Sequence, residues 1–258
     1  MSGLLLRLAG PLQSWGERSA FSPVRDSAPF PTRSALTGLF AAAEGIGRDD
    51  NIDHYQALQI TVRVDRPGLR LIDYHTVGGG LPKARTAATS GGSNKGAAVI
   101  TQRHYLSDAV FVVAVSGPDE TLTRLASALR RPHWAPYLGR RSCVPDEPFV
   151  LGSNVHDPEN ELLTRVPLSR STPTRRGEAT DDTVPVEFLR EQPPAAPASP
   201  PADTIDVNDM PVSFAQHGRT HAVRRVYRTI EHLPTTLTGP QPQLLQRLID
   251  YAQTKERA

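Results

Sequence analysis

The stretch HWAPYLGRRSC, residues 133–143, gathers a thiol, two adjacent guanidiniums, an imidazole and two large aromatic rings. Two chemistries are open to it. Cys143 could be a nucleophile with His133 nearby, but a thiolate needs a base placed in space and donors for an oxyanion, and no local signature supplies either. A lone cysteine at a strand start is expected to be buried and inert. Arg140 and Arg141 suit the other chemistry, because guanidinium forks match phosphates and base edges. Tyr137 adds a ring on which a base can stack, worth about 1–3 kcal/mol. A second candidate is His75 in DYHTV, with Arg103, His104 and Tyr105 on a strand beyond it. A metal-independent ribonuclease could use His75 with Tyr105 or Tyr137 to deprotonate a ribose 2′-OH. The alternative is a His75 that only hydrogen-bonds within a sheet.

The remaining candidates are weaker. His217 and His221 are spaced i, i+4 as on a zinc helix, but Gly218 lies between them and the Glu of HExxH is missing. Asp49-Asp50 and Asp181-Asp182 are adjacent pairs whose side chains diverge, as solvated acids or helix caps do. GGGLP and SGGSNKG fit no phosphate-binding glycine loop, and one cysteine cannot make a CxxC site. No cofactor, metal or small-molecule substrate is expected.

The elements that must position these groups read as follows. GLLLRLAG (3–10) is a short apolar strand. PTRSALTGLFAAAEGIG (31–47) is a helix capped by Thr32 or Ser34, with Leu36, Leu39, Phe40 and Ala43 on its apolar face and Gly45 and Gly47 at its stop. ALQITVRVDRPG (57–68) alternates as a half-buried strand and turns into LRLIDYHTV (69–77). GGGLPKARTAATSGGSNKGAA (78–98) has almost no large apolar residue, so it projects as a flexible arm. VITQRHYL (99–106) and AVFVVAVSG (109–117) are strands. PDETLTRLASALRRP (118–132) is a helix with acids early and arginines late, matching its dipole. The order β-α-β-β, arm, β-β-α predicts an α+β, ferredoxin-like or RNA-recognition-type sheet with helices on one face. Beyond 144, EFLREQPPAAPASPPADTID (187–206) reads as a proline-rich loop centred on 190–205. THAVRRVYRTI (220–230) reads as an edge strand and PQLLQRLIDYAQ (242–253) as an amphipathic helix. The expected division is thus 1–143, with its arm at about 76–102, and a β-rich region over 144–258.

Composition adds constraints. Of 258 residues only 38% are hydrophobic and 24 are proline, so part of the chain is loop. MSGLLLRLAG is too short and too interrupted by Arg7 for a signal peptide, and no run approaches the roughly 18 apolar residues of a spanning helix. A cytoplasmic protein without a membrane partner is expected. The net charge of +2 conceals an uneven spread. Residues 1–143 carry 17 Lys/Arg against 11 Asp/Glu, 144–210 carry 5 against 13, and 211–258 carry 7 against 3. Two faces with different partners are implied, the acidic one away from phosphate. Only Lys83, Lys95 and Lys255 are lysines. The arginine excess favours RNA contacts, although a GC-rich genome also favours arginine codons.

Four segments taken together, LLLRLAGPLQSWG (4–16), FPTRSALTGLFAAAEGIGRDD (30–50), DYHTVGG (73–79) and APYLGRRSCVPDEPFVLG (135–152), resemble the CasD family, a RAMP-type subunit of type I-E CRISPR Cascade complexes. The likeness runs over roughly residues 1–152. The chain departs from the family in its Gly/Ala/Ser-rich arm, its proline-rich insertion and its longer C-terminus. The resemblance implies an RNA-recognition-like domain with a protruding thumb and a small C-terminal β region. It also implies a non-catalytic subunit for antiviral defence that holds the 5′ handle of the CRISPR RNA and caps the Cascade backbone. Its partners would then be that RNA, the backbone subunit and the large subunit.

On this reading the RNA-binding residues are Arg25, Arg33, Ser34, His75, Arg103, Tyr137, Arg140 and Arg141. Arg33 and Ser34 would open a helix whose N–H groups and dipole favour a phosphate. Lys83, Arg85 and Lys95 would lie on the thumb, which reaches over the guide to the neighbouring backbone subunit. Two other readings stay open: a metal-independent endoribonuclease that processes precursor RNA, and a general RNA-recognition-type binder of single strands.

Overall fold

The computed structural model describes residues 3–16, 22–86, 98–171, 182–194 and 203–257. In chain order the strands and α-helices are β1 (Gly3–Ala9), β2 (Leu12–Gln13), β3 (Val24–Arg25), α1 (Arg33–Glu44), β4 (Gln59–Arg66), β5 (Leu69–Val77), β6 (Val99–Ser107), β7 (Val110–Ser116), α2 (Asp119–Arg130), β8 (Val150–Gly152), α3 (Pro158–Thr164), β9 (Thr183–Arg190), β10 (Asp203–Ser213), β11 (Thr220–Pro234) and α4 (Leu244–Arg257). Seven strands form one antiparallel sheet in the order β10-β11-β9-β4-β7-β1-β8. A smaller sheet is centred on β6, which pairs with β5, β2 and β3. The architecture is mixed α+β.

The apolar runs of β1 and β7 explain the layering. A strand buried on one face alternates; these are buried on both. Leu4, Leu6, Leu8, Val113 and Val115 face Leu36, Phe40, Leu122 and Leu125 of α1 and α2. Leu5, Val112 and Ala114 face the opposite way, into a second core with Leu162 of α3 and Leu248 and Ala252 of α4. Helices therefore cover both faces of the large sheet, where the sequence suggested one. The second cover is held by Arg63, fully buried on β4. Its guanidinium pairs with Asp65 at 2.7 Å and donates to the carbonyls of Leu162 (2.7 Å), Val166 (2.9 Å) and Pro167 (3.0 Å). Asp65 in turn accepts the Ser169 N–H at 2.8 Å.

The first helix begins as its sequence dictates: Thr32 caps it, accepting the Ala35 N–H, and Gly45 closes it at φ 77°. Two expectations for the second half change. Residues 187–190 finish β9 and 203–206 begin β10, so the proline-rich segment is shorter than 190–205 at its far end, and residues 195–202 lie outside the described set. The division at 143/144 is not a division of the sheet, because β9, β10 and β11 extend it beyond β4 while β8 adds to β1. Nor is the acidic charge of 144–210 left as one surface. Glu159, Glu187, Glu191, Asp206 and Asp209 all pair with arginines.

Candidate nucleic-acid interface

Two of the motif segments are built against each other. The main chain at Gly139 passes so close to Ser14 that a Cβ there would lie 1.7 Å from the Ser14 carbonyl oxygen, and its φ of +85° also requires glycine. The Ser14 N–H donates to Leu138 O at 3.1 Å, and Leu138 N–H to Cys143 O at 2.7 Å. Trp15 is wholly buried and Gln13 ties β1 to β7 through Leu8 O and Ala109 O. LQSW is thus a seat, and PYLGRRS is the loop that sits on it. Cys143 packs in the core beneath, 1% exposed, where burial pushes its thiol pKa up. It is buried, as expected.

The seat aims Arg140. Its Nε donates to Ser14 Oγ at 2.8 Å, Nη2 donates to Arg25 O at 3.2 Å, and the guanidinium lies over the Tyr105 ring at 4.9 Å. Strand registers extend this contact into a face. Arg25 of β3 and Asp73 of β5 both stand opposite Arg103 of β6, and one step along the same face His75 stands opposite Thr101. Arg103 Nε donates to Thr101 Oγ1 at 3.3 Å, and His75 Nδ1 lies 3.5 Å from Asp73. Arg25, Arg103, His75 and Arg140 are all partly exposed. The β5–β6 hairpin therefore presents a polar, cationic row whose charge exceeds its single acid. Asp73 and Thr101 belong to this row and were missed, although the period-2 alternation of both strands would have found them. The opposite face carries Val24, Ile72, Tyr74 and Ile100, exposed at 39%, 51%, 68% and 60%.

Other expected residues fall differently. Arg33 does not face a phosphate; it is 2% exposed and works inside the protein. Its Nη1 donates to Glu191 at 2.7 Å and its Nη2 to the Tyr55 and Leu58 carbonyls at 2.6 and 2.9 Å. The N-terminus of α1 already holds an anion, since the Arg33 N–H donates to Asp209 Oδ2 at 2.7 Å. Ser34 is also buried, at 7%. A carboxylate from β10 occupies the site that helix geometry offered to RNA. Arg141 is exposed beside Arg140, and Tyr137 is 37% exposed. Lys83 and Arg85 are exposed in a 3₁₀ turn that continues the hairpin. Lys95 lies outside the described residues. His217 lies in the turn before β11 and His221 on the strand itself, so they share no helix.

One of the two nuclease pairings, His75 with Tyr105, is unfavourable in geometry. Tyr105 is 6% exposed, and it lies four residues along β6 from Thr101, the partner of His75. At roughly 3.3 Å per residue that is about 13 Å, too far for one ribose hydroxyl to reach both groups.

The chain is similar to known proteins. A family model described as CRISPR-associated protein (Cas_Cas5) matches residues 3–227. The Escherichia coli (strain K12) protein named CRISPR system Cascade subunit CasD is 40% identical over 185 residues, covering 65% of this chain and 78% of that one. A solved chain from a structure titled CRISPR RNA-guided surveillance complex superposes with a TM-score of 0.84 at 47% identity, covering 97% of this chain and 99% of that one. Another, titled Crystal structure of Cas protein, gives 0.62 at 28% identity, with 93% and 99% covered. The chain belongs to the CRISPR-associated Cas5 family, together with the Cascade subunit CasD.

Proposed function

We propose that this chain is a non-catalytic subunit of a Cascade-type, RNA-guided CRISPR surveillance complex, which binds the 5′ handle of the CRISPR RNA and caps the protein backbone. One observation carries the RNA-binding part. The core order β4-β7-β1-β8, with α1 and α2 on one side, is read as ferredoxin-like, and RNA-recognition domains of that kind stack bases on the open sheet face. Here α3 and α4 cover that face, so a strand must be held elsewhere. The cationic row of Arg25, Arg103, His75 and Arg140 is the surface whose chemistry fits, and its Arg103 and His75 stand on the hairpin read as the thumb. This disfavours a general RNA-recognition-type binder, and the His75–Tyr105 separation disfavours an endoribonuclease built on that pair.

Partner surfaces follow the same logic. The polar row faces the handle RNA. The apolar face, Val24, Ile72, Tyr74 and Ile100, suits a neighbouring backbone subunit, because monomeric proteins rarely leave such a patch uncovered. The large subunit would meet another surface of the chain. Among the described residues no helix is long and apolar enough to cross a membrane.

The test is incubation of the full chain with labelled precursor RNA containing one repeat, in EDTA. Uncut RNA, retained more tightly when it carries the handle, is expected. Site-specific cleavage that His75→Ala abolishes would overturn the non-catalytic reading.

A further inference from the structure

Beyond the hairpin, three loops meet at the C-terminal end of α1. The turn between β10 and β11 is tied to the middle of α1 by Phe214, which packs on the core and would meet a Cβ on Gly38 at 4.0 Å. Arg219 closes that turn, 5.6 Å from the Phe214 ring centroid. The second loop follows Gly45 and carries Arg48. The third is anchored by His133 and Trp134, whose N–H groups donate to Ala43 O and Ala42 O at 2.9 and 3.1 Å, and it carries Tyr137. His133 also lies against Gly45, where a Cβ would come within 3.0 Å of its ring. Arg48 and Arg219 are exposed, as are Trp134 at 48% and Tyr137 at 37%.

Two arginines share this corner with the carboxylates of Asp49 and Asp50. Arg219 lies within electrostatic reach of Arg48 and Tyr137, and His221 within reach of Arg219. Among the described residues neither Arg48 nor Arg219 forms an ion pair with a carboxylate. The nearby acids are Asp50, whose Oδ2 accepts the Gly47 N–H at 2.6 Å, exposed Asp49, and Asp209, held by Arg224 and the Arg33 N–H. Two guanidiniums on pinned loops repel each other unless an anion comes between them. Beside them stand two exposed rings, and cations interleaved with exposed aromatics are the composition of a single-strand binding platform.

We propose that Arg48 and Arg219, with the rings of Trp134 and Tyr137, form a second contact for single-stranded RNA, a phosphate lying between the guanidiniums and a base against a ring. The inference rests on the RNA-binding reading above and extends it. The strand leaves the hairpin row at Arg140 and Arg141, crosses the loop at Tyr137 and reaches the tip of the C-terminal hairpin.

The experiment titrates fluorescently labelled, handle-containing RNA into the full chain across a range of salt. Each phosphate contact in a single strand contributes about 0.7 to the slope of log affinity against log salt. The pair Arg48→Ala with Arg219→Ala is expected to flatten the slope by about 0.7, weaken binding roughly fivefold at 0.1 M salt, and leave Tm unchanged. In the wild-type chain RNA should quench Trp134 fluorescence and raise the pKa of His221, read by NMR. An unchanged slope in the double variant, with Arg103→Ala still weakening binding, refutes this second contact and leaves the hairpin reading intact. No RNA binding by the wild-type chain refutes both. A His221 shift produced by polyglutamate but not by RNA marks the patch as a protein contact and also refutes the proposal.

Discussion

Replacing Arg33 by alanine separates a structural arginine from an RNA-binding one. The guanidinium is 2% exposed and makes four hydrogen bonds, two to Glu191 and two to backbone carbonyls that cap the turn at 53–58. Its partner is itself mostly buried, at 16%, and also accepts the Ile60 N–H at 3.0 Å. Removing one member of a buried pair costs about 3–5 kcal/mol, because the other charge stays buried. Arg224 lies 3.3 Å from Glu191 and partly compensates, which favours the lower end, about 3 kcal/mol. For 258 residues the unfolding entropy is roughly 0.5 kcal/mol per degree, so Tm should fall by about 6 °C. Calorimetry measures this, and the cycle with Glu191→Gln should return a coupling of about 1–3 kcal/mol. RNA affinity measured well below Tm should hardly change. An Arg33→Ala chain that keeps its Tm and loses affinity, with a salt slope flatter by about 0.7, would refute the buried-bolt argument and return Arg33 to the RNA.

Arg103→Ala should do the reverse: Tm within about 1 °C of wild type and a salt slope flatter by about 0.7 in filter binding or anisotropy. Gly139→Ala places a Cβ 1.7 Å from Ser14 O at φ +85°, so it should cost at least about 2 kcal/mol in urea unfolding and weaken RNA binding as Arg140 loses its braces. Burial would lift the Glu161 carboxyl, but hydrogen bonds from Lys255 and Tyr251 and the charges of Lys255 and Arg165 outweigh it and hold its pKa below 4.5. A depressed carboxylate stabilises the fold above the unfolded value and loses that contribution as pH falls through the folded one. Glu161→Gln should therefore destabilise at neutral pH, with the difference from wild type shrinking below about pH 4, as urea midpoints at several pH values would show.

The local elements were legible because each carries its own pattern. β4 reads from Ile60, Val62 and Val64, α1 from Leu36, Leu39, Phe40 and Ala43, and both ended where turn and cap residues said they would. β10 was hidden because it is an edge strand. DTIDVNDMPVS carries Asp203, Asp206 and Pro211, the devices that blunt a free edge, and so looks like loop. β9 was hidden by Pro185 and Glu187 within an otherwise alternating run. Arg33 failed for a different reason. Nothing within a helix turn distinguishes an arginine that meets phosphate from one that meets Glu191, 158 residues further along the chain. The placing of His75 beside Thr101 and Arg103 follows from two consecutive strands, β5 and β6, whereas the pairing of Arg25 with Arg103 and the convergence of Arg48, Tyr137 and Arg219 join segments far apart in sequence.

Two of the sheet edges, β10 and β5, bear on function together with the sealed sheet face. β10 ends the large sheet with acids and proline, protected against stray pairing. β5 ends the small sheet with Leu69, Leu71, Ile72 and Tyr74 exposed at 75%, 44%, 51% and 68%, around only two fully charged residues, Arg70 and Asp73, and no proline. An edge of that kind is a liability in a protein that works alone and an asset in one that works covered. Meanwhile the buried Arg63–Asp65 pair holds the segment after α3 down on the sheet face, at 0% exposure for both residues. The same chain thus closes one face of its large sheet and leaves open a hairpin with Arg103 and His75 on one face and Ile72, Tyr74 and Ile100 exposed on the other. That combination fits a subunit whose RNA and protein partners meet on one arm, each covering what the other leaves exposed.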